Sequence, residues 1–340
     1  CFITKGNGMI KKNGYNAMVT MQSWMFLSSF ENMRKKILDD FSIIDLLHMG
    51  NMVMGIAFGT SATVFRKKID SNYIGTYNQI TLKDINKNGT PNSFPVSNNR
   101  FNQIPTTNFS KIPGSPIAYW VSENLLASFT NGNRLGNIAD SKQGIATADN
   151  NKYLRLWYEV SVENVKFDAK THEEASLCSE KWYPYNKGGE FRKWYGNNDF
   201  VVNWYRDGKD LRNDRKAVLR NRPFYFKPCF SWSLVTSSVA AFRFKPMGHI
   251  FDVAGMSCFS QTNLLYLLAL CNTKVVTKIL EIIAPTINYQ CGDIANIPVI
   301  VTAKESKQNI EKRVESCINI SRKDWNSYET SWDFKRSPLV

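Results

Sequence analysis

The sequence predicts an α/β chain in two parts: the flank of a wound α/β sheet over the first seventy residues, followed by a mixed, β-rich α+β domain. Three observations lead there. Short apolar runs alternate with a helix-period segment near the start. From Leu154 to Phe244 aromatic residues alternate with basic ones and Gly or Asn turns. And 43% of the 340 residues are apolar, enough to bury a sizeable core.

Phe2 to Ile10 has helical spacing, with Phe2, Met9 and Ile10 apolar, and ends at Lys11-Lys12-Asn13-Gly14, where cations and a glycine suit a helix C-terminus. Ala17 to Met21 is a continuous apolar run of the kind a strand buried on both faces requires. Ser28-Ser29-Phe30-Glu31 opens a helix that gathers Phe30, Met33, Ile37 and Leu38 on one face and closes before Ser42. Ile43 to Leu47 and Thr60 to Phe65 supply two further strands, the last closing at Arg66-Lys67-Lys68. Strand, helix, strand in this rhythm belongs to a doubly wound sheet.

From Asp70 to Gly114 the composition turns to Asn, Thr, Gly and Pro, which predicts a loop-rich crossover. Ile117 to Phe129 recovers a helix, and Gly132 to Asn150 is turn-rich again. Asn263 to Ile283 reads as a major helix stopped by Pro285, and Gly292 to Val299 as an edge element. Glu305 to Trp325 is an amphipathic helix with Ile310, Val314, Ile318 and Ile320 inward. The expected segments are 1–70, a crossover at 71–150, a second domain at 151–300, and a helical extension at 301–340.

Lys and Arg outnumber Asp and Glu by 43 to 29, a net charge of +14. Such a surplus suits a polyanionic partner, nucleic acid first and anionic membrane second, or simply keeps a basic protein soluble. The seven cysteines (Cys1, Cys178, Cys229, Cys258, Cys271, Cys291 and Cys317) include no C-x-x-C pair, so neither a zinc site nor a disulfide framework is indicated, and the reducing cytoplasm fits best. The longest apolar segment is interrupted by Asn272-Thr273-Lys274 and Lys278, which argues against a membrane span.

Catalytic signatures are missing. There is no Walker A run, and Gly6-Asn7-Gly8 lacks the third glycine of a dinucleotide loop and precedes the strand it should follow. His48, His172 and His249 have no metal-ligand partner four residues on, and Ser23 lacks the glycines of a nucleophile elbow. No catalytic, cofactor-binding or metal-binding residue is assigned.

The binding signal is stronger. Between Lys181 and Arg222 eleven basic residues face five acids, a surplus of six, interleaved with Trp182, Tyr183, Tyr185, Phe191, Trp194, Tyr195, Trp204 and Tyr205. Cations neutralise phosphates, Arg also reads guanine bidentately, and flat aromatic rings stack on bases. Lys187, Arg192, Lys193, Trp194, Arg206, Arg212 and Arg215 are the candidate DNA contacts. The same stretch also reads as an aromatic core with its charges on a solvated face.

Gly14-Tyr15-Asn16-Ala17-Met18-Val19-Thr20-Met21-Gln22-Ser23-Trp24-Met25-Phe26-Leu27, the run from Lys181 to Gly196, and Asp324-Trp325-Asn326-Ser327-Tyr328-Glu329-Thr330-Ser331-Trp332-Asp333-Phe334 closely resemble the adenine-specific DNA methyltransferases of BREX phage-defence systems, the PglX type. Leu264 to Val299 also resembles the specificity region of fused restriction-modification methyltransferases. The resemblance implies methyl transfer from S-adenosylmethionine to the N6 amino group of an adenine flipped from double-stranded DNA. It makes 1–70 the tail of a Rossmann-like methyltransferase domain and 151–300 the target-recognition domain. No two of the twelve prolines are adjacent, so the family's Asn/Asp-Pro-Pro-Tyr/Phe motif is absent, as is its glycine-bearing cofactor loop. The resemblance therefore implies a C-terminal fragment that is inactive alone, with the cofactor bound by an N-terminal part not in this sequence. A stand-alone specificity subunit and part of a fused endonuclease-methyltransferase remain the alternatives, and other defence proteins are further expected partners. Within the resemblance, Gly144-Ile145-Ala146-Thr147-Ala148-Asp149-Asn150 looks like the Gly-x-x-Thr-x-x-Asn turn that enters the recognition domain. Gly144, Thr147 and Asn150 are then expected near a DNA phosphate, in an exposed loop, with Ala148 where glycine is more usual.

Overall fold

The computed structural model describes residues 2–68, 70, 73–93, 96 and 98–338; Cys1 and Ser71, the first residue of the expected crossover, lie outside them. The chain forms two compact units. The first runs to Asn131 and includes Ile282–Pro285; the second holds Gly132–Glu281 and the residues from Thr286 onward.

The first unit comprises α1 (Phe2–Met9), β1 (Tyr15–Met21), α2 (Glu31–Asp40), β2 (Ser42–Met49), β3 (Thr60–Arg66), β4 (Ile74–Ile80), β5 (Phe101–Pro105) and α3 (Glu123–Asn131). Its sheet has the order β1-β3-β2-β4-β5. The expected strand-helix-strand series is present, but β1 and β2 are not neighbours. β3 returns antiparallel between them, so they run in the same direction without pairing; β2 and β4 pair parallel and β5 antiparallel. The stretch expected as crossover thus contributes two strands. β4 escapes the periodicity rules because polar residues are mixed into its buried positions: Tyr77 is fully buried, and Asn78 is buried with its amide donating to the Val96 carbonyl at 2.9 Å. Gly75 lets β4 approach, since a Cβ there would stand 2.5 Å from the Ile43 carbonyl.

The core of this unit joins Ile37, Ile43, Leu46, Phe65 and Tyr77 to Trp24, Met25, Phe109 and Tyr119. On α1 the inward side is Ile3 and Asn7, with Phe2 and Met9 exposed, because the helix is too short to wrap its whole apolar set inward. α2 buries Ile37 as its spacing predicts, and beside it Arg34, only 1% exposed. The Arg34 guanidinium donates to the carbonyls of Trp24 (2.9 Å), Leu27 (2.7 Å) and Gly114 (3.0 and 2.7 Å), tying two irregular connections to one helix.

The second unit continues with β6 (Asn133–Arg134), β7 (Asp140–Lys142), α4 (Asn150–Tyr153), β8 (Leu154–Leu156), α5 (His172–Leu177), β9 (Trp182–Asn186), β10 (Phe200–Asn203), α6 (Tyr205–Asn213), β11 (Cys229–Ser231), β12 (Arg243–Lys245), β13 (Ile250–Phe251), β14 (Ser257–Phe259), α7 (Leu264–Cys271), α8 (Lys274–Ile283), α9 (Cys291–Ala295), β15 (Pro298–Val299) and α10 (Lys304–Trp325). Short strands build two four-stranded sheets, β13-β9-β10-β8 and β12-β11-β14-β7, with β15 and β6 as a separate pair. Aromatic residues fill the space: Trp204 meets Tyr225 edge-on at 5.4 Å, and Tyr225 meets Phe251 at 5.5 Å.

Three expectations change here. The apolar run from Asn263 is two helices, because the Asn272 side chain leaves the helical register to bond both backbone groups of Phe242. α10 buries Val314 and Ile318 but exposes Ile320, which lies off the stripe. The residues after α10 are packed rather than appended: Trp157 Nε1 donates to the Thr330 carbonyl at 2.8 Å, and Trp332 lies 5.2 Å from the Phe167 ring.

Lys245 is wholly buried and donates to the carbonyls of Gly196 and Asn197, each at 2.9 Å, and to the Asn198 side chain. Burial pushes its pKa down to about 7. The unfolded chain therefore binds the additional proton above that pH, so stability should rise as pH increases from about 7 toward the ordinary lysine value. Urea unfolding across this range should show the rise, and Lys245→Met should flatten it. Arg34→Met, which leaves three connection carbonyls without their donor, should cost on the order of 3 kcal/mol in the same assay; a loss below about 1 kcal/mol would mean that water replaces the guanidinium.

Candidate nucleic-acid interface

The basic-aromatic stretch of the second unit splits into an inward half and an outward half. In the inward half, β9 is buried along its whole length, and Tyr183, Tyr185 and Trp204 are core residues. Lys187 donates at 2.8 Å to Asp252, a carboxylate 1% exposed that also receives the Tyr185 hydroxyl at 2.8 Å. Arg192 pairs with Asp324 at 2.9 Å and lies over the Trp325 ring at 4.9 Å. Lys193 donates to the Asn272 carbonyl at 2.8 Å. Trp194 is half-buried with a left-handed backbone (φ +71°) and exchanges backbone hydrogen bonds with Phe242 and Phe244. The structure thus turns these four candidates toward the protein.

The outward half begins at Tyr205. Arg206, Lys209, Arg215 and Lys216 are exposed, and none has an acid partner among the described residues. Arg212, 42% exposed at its side chain, donates to the Arg206 carbonyl at 3.2 Å and pairs loosely with the Asp207 carboxylate at 3.9 Å, so it is not free. The acids of this segment are largely engaged elsewhere. Asp207 is buried, and Asp214 accepts from the Tyr153 hydroxyl at 2.7 Å and from Lys152 at 3.4 Å. A surface of free cations results, with Tyr205 as its exposed aromatic residue. Sequence reasoning counted Lys209 and Tyr205 in the stretch without making them candidate contacts, and it passed over the Asp207-Gly208 turn, although an Asp-Gly pair inside a basic run is a turn signal.

The turn at Gly144 is a packing element, contrary to the exposed loop expected. A Cβ at Gly144 would stand 1.8 Å from the Phe251 carbonyl. Ile145 donates to that carbonyl at 2.8 Å, and Ala146 and Val218 exchange hydrogen bonds at 3.0 and 2.8 Å. Thr147 is 3% exposed, its hydroxyl spent on the Asn150 side chain at 2.7 Å. Ala148 holds φ +60°, the conformation that explains why glycine suits this position. Asn150 alone of the three candidates reaches the surface.

The turn after β1 is not a glycine-bearing loop, and one glycine of the connection after β2 is closed off. The turn after β1, Gln22–Met25, has no glycine and buries Trp24 and Met25. Gly59, in the connection after β2, is crowded by the Gln22 side chain, 2.3 Å from where its Cβ would stand. Gln22 in turn bonds His48, which also meets the Tyr119 hydroxyl at 3.0 Å; burial pushes the His48 pKa down to about 4, leaving a neutral, fully engaged imidazole. Among the described residues no group of three or more His, Cys, Asp or Glu could hold a metal ion, and no helix is long and apolar enough to cross a membrane.

The fold is one found in restriction-modification enzymes. It resembles the Type IIL restriction-modification enzyme MmeI, solved in complex with DNA, with a TM-score of 0.53 and 12% identity over 95% of this chain and 44% of that one. In sequence the chain is a relative of the adenine-specific methyltransferases. It is 35% identical, over its full length, both to "Adenine-specific methyltransferase PglX" of Lacticaseibacillus casei (strain Zhang) and to "Adenine-specific methyltransferase BrxX" of Escherichia coli O9:H4 (strain HS). It spans 29% and 28% of their respective lengths. No family model matches it.

Gly144→Ala should cost about 1–3 kcal/mol by overpacking against the Phe251 carbonyl. The expected readout is a lowered melting temperature with DNA affinity per folded molecule unchanged; loss of affinity at an unchanged melting temperature would restore the turn to the interface.

Proposed function

We propose that this chain belongs to a site-specific DNA methyltransferase that transfers a methyl group from S-adenosylmethionine to adenine N6, marking its own DNA within a phage-defence system in the cytoplasm. The 35% identity along the entire chain to two adenine-specific methyltransferases carries this reading. In this reading the chain supplies grip and target recognition on double-stranded DNA through its second unit. The cofactor supplies the methyl group, and its binding falls to another part of the protein; in support, the turn after β1 has no glycine and is filled by Trp24 and Met25. The first unit is then the flank of a methyltransferase-type sheet. In support, β1 and β2 run the same way with β3 reversed between them, and β1 is one of the two edge strands, with Tyr15, Val19 and Met21 exposed. Other proteins of the defence system are further proposed partners.

Arg206, Arg212 and Arg215, joined by Lys209, are the proposed DNA contacts from the outward half. Lys187, Arg192, Lys193 and Trp194, with Gly144 and Thr147, act indirectly by building the scaffold, and Asn150 borders it. The triple variant Lys209→Ala, Arg212→Ala, Arg215→Ala of the full-length protein should weaken binding to every duplex. It should also reduce the slope of log affinity against log salt by about 2–3, near 0.9 per lost phosphate contact. The triple variant Lys187→Ala, Arg192→Ala, Lys193→Ala should instead lower the melting temperature. Unchanged salt dependence in the first variant would show that the outward cations are only a solvated face.

A further inference from the structure

The start of α6 carries an expensive backbone. Arg206, Asp207 and Gly208 hold φ of +49°, +56° and +71° in succession, and for residues other than glycine each such conformation costs roughly 1–2 kcal/mol. Gly208 is explained by packing, since a Cβ there would stand 2.7 Å from the Trp204 ring. Arg206 and Asp207 have no such excuse. What holds them is the Asp207 carboxylate, 6% exposed, which accepts from Trp204 Nε1 at 3.1 Å, His172 Nδ1 at 2.5 Å and an Arg222 amino group at 2.5 Å. With Asp207 pinned inward, the left-handed turn puts Tyr205 and Arg206 outside. The Arg206 guanidinium lies over the Tyr205 ring at 5.2 Å, with no acid to draw it away.

A contact to phosphate needs a cation within reach, not an oriented one, and Lys209 and Arg215 supply that from ordinary helix and loop. Strain held by a buried network is repaid only where direction matters. An Arg whose face is covered by an aromatic ring presents its edge, a planar fork of N–H donors that matches the O6 and N7 acceptors of guanine in the major groove. We propose that Tyr205 and Arg206 form a base-reading element for a guanine in the target sequence, held out from the second unit by Asp207 as its positioning residue. This rests on the second unit being the DNA-contacting part of the protein.

The test uses the full-length protein, a selection from a randomised duplex library, and affinities on the selected and a scrambled duplex. Arg206→Ala should erase the preference for one guanine and weaken binding to the selected duplex about 10- to 100-fold while leaving the scrambled duplex nearly unaffected. Arg206→Lys should not rescue it, because an ammonium has no fork. Asp207→Asn should reproduce the loss in the parent protein and add nothing in the Arg206→Ala background, a coupling that a merely structural role would not produce. If Asp207→Asn fails to fold, Tyr205→Ala carries the test, with the same loss of preference expected. Equal loss on both duplexes makes Arg206 a phosphate contact and overturns the inference while leaving the basic surface standing, as does a preserved guanine preference in either Arg206→Ala or Tyr205→Ala. If the Lys209, Arg212, Arg215 triple variant is also without effect, the DNA-contacting surface itself falls, and this inference with it.

Discussion

Backbone in irregular connections must still pair its polar groups once it is buried, and in this protein buried charges meet that demand. Arg34 closes the carbonyls of Trp24, Leu27 and Gly114; Lys245 closes those of Gly196 and Asn197; Asp252 receives Tyr185, Lys187 and the Ala254 amide. Strands of two to five residues dominate the second unit, and such strands offer too few ladder bonds to hold the connections between them. Long side chains with several donors or acceptors do so instead. Each of these charges is expensive to bury and more expensive to leave unpartnered, so the network specifies one arrangement of loops.

The same economy of charge decides what the surface can offer. Two cations of identical type, Arg192 and Arg215, sit in the same basic stretch, yet one is bound to Asp324 and stacked on Trp325 and the other is free. A count of basic residues therefore overstates the free cationic surface, and the free cations concentrate after Tyr205. The aromatic residues divide similarly. Those on β9 and Trp204 build the core, whereas Tyr205 and Phe191 remain exposed.

Asp207 links the two themes. It is a buried acid satisfied by Trp204, His172 and Arg222, and it also fixes the backbone that exposes its neighbour Arg206. The Asp207 contact raises the His172 pKa, so the hub is most fully charged and bonded at lower pH and loosens as pH rises through the shifted value. A scaffold charge and a surface charge one residue apart thus have opposite duties.

The sequence by itself determined where β1, α2, β2 and β3 lie, because apolar runs and helical spacing mark strands and helices, although β1 is an edge strand with no buried residue and not, as expected, one buried on both faces. It also disclosed the basic surplus and the likeness to PglX-type methyltransferases along the chain. Only the tertiary structure decided the order of those strands, the membership of β4 and β5, and the burial of Gly144 and Thr147. It alone separated Lys187 and Arg192 from Arg206 and Arg215. The reason is distance along the chain. Lys187 meets Asp252, Arg192 meets Asp324, and Gly144 meets Phe251, pairs separated by sixty-five or more positions. Periodicity and composition act over a dozen residues, and no local pattern encodes which distant acid or carbonyl a given side chain will find.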